Sequence, residues 1–143
     1  MRIPFIIGTF CLLTTGLFGQ NKADLLYGEW IQFGFKPNSS KEIKILKDDC
    51  SKKKAEFKTD GTYIEDMYCL KSNGYWEFNN DSTKLGVQLT EFNGQVIGKK
   101  STPTFRTLVI KLTPDTLVYG LEAYYGNERV YGHDDWYFVR KRK

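Results

Sequence analysis

The chain has 143 residues with 21 basic and 17 acidic side chains, a formal net charge of +4. That length suits one domain with one real core, built without metals. The mild and scattered charge, in a chain read below as exported, argues against a nucleic-acid partner, and no apolar run approaches the about 20 residues that cross a bilayer. Two basic clusters, Lys52-Lys53-Lys54 and Arg140-Lys141-Arg142-Lys143, read as solvated surface.

From the N-terminus, Arg2 precedes an apolar run from Ile3 to Leu13, and Thr14-Thr15-Gly16-Leu17-Phe18-Gly19 follows it. That order is a secretory signal peptide, so residues 1–19 are expected to be removed and 20–143 to form the exported domain, periplasmic or extracellular. Cys11 sits behind Phe10 inside the apolar run, whereas a lipidation site wants a small residue before its cysteine. Cys50 and Cys69 then remain, an even number in an oxidising compartment. Paired, they would close a loop of about 20 residues and stabilise by roughly 3 kcal/mol.

No segment sustains a helical period, and turn signals recur throughout. Eight strands are predicted, near 28–35, 54–59, 62–69, 74–79, 84–91, 105–112, 116–122 and 134–140. Joined by tight turns, they make an all-β, eight-stranded up-and-down antiparallel β-barrel. Asp60-Gly61 suits a tight turn that sets Phe57 opposite Ile64 and brings Cys69 close to Cys50. Pro114-Asp115 suits a second, pairing Leu112 with Leu117, Ile110 with Tyr119 and Leu108 with Leu121 on one face. Leu85, Val87 and Leu89 alternate with Lys84, Gly86 and Gln88 as one buried and one wet face demand. The last strand, Trp136 to Arg140, is amphiphilic in both phases.

Two connections are long. Within 36–53, Lys41-Glu42-Ile43-Lys44-Ile45-Leu46 suits a short helix or lid over a barrel end, and 92–104 reads as loop. Such loops either carry recognition or act as spacers.

With strands and cysteines placed, Gly28-Glu29-Trp30, Phe57-Lys58-Thr59-Asp60-Gly61-Thr62-Tyr63, Asn73-Gly74-Tyr75-Trp76 and Leu112-Thr113-Pro114-Asp115-Thr116-Leu117 follow in order. In that order and spacing the chain resembles the bacterial lipocalin-like domain family over about residues 25–141. The resemblance implies that Trp30 plugs the closed end of the barrel with a basic residue of the last strand laid over it, Arg140 by location and phase, with Lys141 or Arg142 as alternatives. It also implies noncovalent binding of a small, often apolar molecule. The chain is shorter than a typical lipocalin and shows no C-terminal helix, which limits the room inside.

Catalytic chemistry is not expected. His133, the only histidine, lies in a predicted turn with no recognisable nucleophile, and one His with two oxidised Cys and carboxylates makes a poor zinc site. The aromatic residues carry the remaining functional hint. Phe57, Trp76, Phe78, Tyr119 and Trp136 are the candidate barrel lining, either shaping a pocket for a small hydrophobic molecule or simply filling the interior. The alternative is a filled barrel that binds an envelope protein or glycan through residues 36–53 and Tyr124, Tyr125 and Tyr131. The reading is of a monomeric, non-enzymatic binding protein without cofactor, metal or transmembrane segment in the exported chain.

Overall fold

The computed structural model describes residues 21–121, 123–125, 128–130 and 134–142, with backbone alone for 123–125 and 128–130. Residues 1–19, His133 and Tyr131 lie outside the described residues, as do the side chains of Tyr124 and Tyr125. After a short helix α1 (Lys22–Leu26), the chain is built from strands. Those of the barrel are β1 (Gly28–Lys36), β3 (Lys54–Phe57), β4 (Thr62–Met67), β5 (Leu70–Phe78), β6 (Lys84–Phe92), β8 (Phe105–Leu112), β9 (Thr116–Leu121) and β12 (Asp135–Arg140). Each pairs antiparallel with its neighbour, and β12 returns to β1, so the eight-stranded barrel is closed. Closure removes the free edges that an open sheet would expose. Short strands β2 (Lys44–Ile45) and β7 (Gln95–Val96) extend β1 and β6, and β10 (Ala123–Tyr125) with β11 (Glu128–Val130) forms a separate hairpin.

Inward residues recur at every second position, as the pleat requires. Trp30, Phe57, Tyr63, Trp76, Leu85, Leu117, Tyr119 and Phe138 make the core, with Leu26 inserted from α1. Phe78 and Trp136 are partly buried against it. In the final strand Phe138 is fully buried, which the ambiguous alternation of that segment concealed.

Both hairpin registers depart from the sequence reading through a single extra residue. At Lys58–Gly61 the Gly61 amide donates to the Lys58 carbonyl, and Gly61 adopts φ +82°. Glycine accepts that conformation without a Cβ clash and inserts a bulge. Phe57 therefore faces Tyr63, not Ile64, and Tyr63 and Glu65 point inward. In the second hairpin Leu112 does face Leu117, but the register shifts between Val109 and Lys111. Val109, rather than Ile110, then meets Tyr119, and Leu121 meets Thr107. Ile110 is turned outward and exposed.

The long connections also hold more order than loops. Lys44-Ile45 pairs with Phe35 and Gly34 as a strand instead of a helix, in keeping with the β preference of its isoleucine. Asn93 and Gly94 take positive φ and turn β6 into β7. Tyr68 and Cys69 likewise form a turn between β4 and β5, and β5 begins at Leu70. The Cys50–Cys69 disulfide joins that turn to the short 3-10 turn Asp49–Ser51 before β3.

These connections give the barrel two unlike ends. The turns 58–61, 79–83 and 113–116 lie with α1 at the closed end. The connections 37–53 and 93–104 lie with the β4–β5 turn and the disulfide at the open end.

Candidate functional site: the chamber at the open end

The closed end is sealed by residues from the first and last strands. Trp30 is fully buried and its Nε1 donates to the Leu26 carbonyl at 2.7 Å. Arg140, its strand partner, sets its guanidinium carbon 4.4 Å from the indole centroid. The same guanidinium donates to the carbonyls of Pro114, Tyr27 and Leu25, so a single planar fork ties β12, α1 and the 113–116 turn together. Gly28 leaves room for it: a Cβ there would stand 2.8 Å from Arg140 Nη1. The polar groups of Trp30 and Arg140 are thus spent on the backbone around them.

Trp76 belongs to the same half. Its Nε1 donates to the Lys58 carbonyl at 3.0 Å, and its ring meets Tyr27, Phe57 and Phe78 edge-on. Trp76 and Phe78 therefore fill space below the chamber, and neither lines it. Phe57, Tyr119 and Trp136 do line it, joined by Leu85, Val87, Leu89, Thr107 and Leu121. Tyr119 lies between Trp136 and Phe138, with ring centroids at 5.8 and 5.0 Å. The resulting chamber holds about 190 Å³.

One corner of that apolar chamber is ionic. Lys53 Nζ lies 2.6 Å from Glu65 Oε2, and the Tyr63 hydroxyl donates to the same oxygen at 2.7 Å. Both charged side chains are nearly closed to solvent. The ammonium also stands 5.3 Å from the Trp136 ring centroid. Burial works against the charge on Lys53, but Tyr119, Tyr63 and Glu65 around it prevail and hold its pKa well above the ordinary value. Burial raises the Tyr63 and Tyr119 hydroxyls above theirs in turn. Lys53 is aimed inward by its backbone: the Gln32 amide donates to the Lys53 carbonyl at 2.8 Å, and the Lys53 amide donates to Gln32 Oε1.

This corner escaped the reading of Lys52-Lys53-Lys54 as one solvated cluster. Lys52 does pair on the surface with Asp49, and Lys54 is exposed. Lys53, however, shares the inward phase of Ala55 and Phe57. That phase was the available signal, since residues two apart on a strand face one way.

A larger hollow of about 530 Å³ lies outside the barrel against β1, β3 and β4. Its walls carry Glu29, Glu56, Asp66 and Lys54, and its Lys141–Glu29 and Lys52–Asp49 pairs are exposed. Charges that satisfy one another in water offer little to a ligand. Among the described residues no cluster of His, Cys, Asp and Glu could hold a metal ion, and no helix is long and apolar enough to cross a membrane. Comparison with family models, curated proteins and solved structures finds no match to this chain.

Proposed function

We propose that this is an exported, non-enzymatic binding protein of the lipocalin-like kind, which holds a small, mostly apolar molecule in the open-end chamber. The observation that carries this reading is the pairing of apolar walls with a single ionic corner. Such a site orients a ligand by one polar group and retains it by burial. Its 190 Å³ is below the roughly 300 Å³ of drug-sized pockets. An apolar cavity of about 150 Å³ accepts benzene, so the molecule is of single-ring size. Lys53 has three N–H donors, of which Glu65 and the Tyr119 hydroxyl take two, leaving one for a hydroxyl or carboxylate on that ring.

Native mass spectrometry of the protein purified from its own envelope should reveal a co-purifying small molecule. Titration with phenol, benzoate and indole should then quench Trp136 emission, and Val87→Trp, which fills the chamber, should abolish the response. A clean apo mass together with no response to any of these probes would reject the reading. A second reading, contact through the loops with another surface, is favoured by the exposed side chains of Ile45 and Val96 at the same end.

A further inference from the structure

We infer that the open end docks on a bilayer surface that carries anionic phospholipid. This deepens the loop-contact reading and is independent of whether the chamber is occupied.

Apolar side chains gather at this end without cover. Leu70 and Phe92 stand on the mouth ends of β5 and β6 in the inward phase, Leu70 two residues beyond Ser72 and Phe92 opposite it. Ile43 and Ile45 lie against Gly34 of β1, where a Cβ would come within 2.9 Å of Ile43 Cγ2. Val96 and Ile97 project from the β6–β7 hairpin, and Val96 is 82% exposed. β1 and β6 are on opposite sides of the barrel, so these residues flank the mouth and do not form one flat patch. Apolar tips on both sides of one barrel end can enter a single apolar layer laid across that end.

The charge between them indicates what. Lys41, Lys44, Lys47, Lys99 and Lys100 are exposed in the same two connections. The acids there are Glu42, Asp48 and Asp49; Asp49 is paired with Lys52, and Asp48 accepts from the Cys50 amide. Aliphatic tips set among lysines match the boundary between acyl chains and anionic headgroups. Each lysine brought to such a surface strengthens partition about fivefold. Lysine is depleted from protein contacts, so five lysines around the mouth favour a bilayer, even with Tyr68 of the β4–β5 turn exposed at the same end.

The test is vesicle co-sedimentation of the chain from Gln20 onward, which lacks the apolar run from Ile3 to Leu13. Vesicles of equal parts phosphatidylglycerol and phosphatidylcholine should bring the protein down, phosphatidylcholine alone much less, and added salt should weaken the binding. Ile45→Asp combined with Val96→Asp should weaken it at least about tenfold. The thermal midpoint should not move, since both side chains are mostly in water. Docking is overturned if the protein ignores anionic vesicles or if the double variant binds as the parent does. It is equally overturned if these substitutions abolish capture of an envelope protein while vesicles never bind.

Discussion

Lys53 and Glu65 form the one ion pair inside the barrel among the described residues, and its energetics are lopsided. Each charge has given up most of its water, so the attraction between them mainly offsets desolvation. Removing one partner leaves the other buried and unpaired. Lys53→Met or Glu65→Leu alone should cost about 3–5 kcal/mol, whereas the two together should be nearly neutral for stability. Denaturant unfolding of the three variants checks this, and a double variant as unstable as the sum would contradict it. If the chamber holds a ring-bearing ligand, the double variant should also lose affinity for benzoate while remaining folded. A residue pair that contributes little net stability yet shapes a cavity suits a binding role better than a structural one.

Among the elements, the seam between β1 and β12 depends most on single side chains. Arg140→Ala removes the cation–π contact with Trp30, worth roughly 0.5–2 kcal/mol, and charged hydrogen bonds to backbone carbonyls. A loss of about 3 kcal/mol is expected. Arg140→Lys should recover only part of it, because an ammonium cannot span three carbonyls with a planar fork. Equal melting temperatures for Arg140→Lys and the parent would show that charge alone matters.

The elements also mark where sequence reading succeeds and where it stops. Turn signals together with alternation located all eight barrel strands, alternation being ambiguous only in the last. Alternation missed the bulges at Gly61 and Ile110, since an added residue leaves the apolar count unchanged while turning Ile64 and Ile110 outward. Helix α1 is five residues long, too short for a 3.6-residue period to register. The tryptophan and arginine of the closed end are named from the resemblance carried by Gly28-Glu29-Trp30, with position and phase in the last strand pointing to Arg140. The ionic corner was legible only in the phase of Lys53 with Ala55 and Phe57; flanking lysines of surface kind masked it, and its partner Glu65 is separated from it by a turn.

For the molecule as a whole, the interior proton holders set an alkaline limit. Lys53, Tyr63 and Tyr119 all have folded pKa values above their ordinary 10.5, 10.0 and 10.0. The folded barrel thus keeps these protons more tightly than the unfolded chain. Their contribution is complete below the unfolded values and is lost as pH rises through the folded ones. The thermal midpoint should be level up to about pH 9 and fall steeply beyond about pH 10. Tyr63→Phe, which removes one titrating group, should flatten that fall. A parent protein with no alkaline loss would mean that the corner is open to water.

The closing fork of Arg140 also constrains the order of assembly. It reaches carbonyls 113 and 115 positions earlier in the chain, near the greatest separation that residues 21–142 allow. Loop-closure entropy makes such distant contacts the slow ones. Hairpins such as β4–β5 can form while the rest is still unstructured, but α1 and Trp30 must wait for the final strand before their carbonyls and ring are covered. Until then β1 and β9 both present open edges to neighbouring chains, and the risk of misassociation falls in this interval.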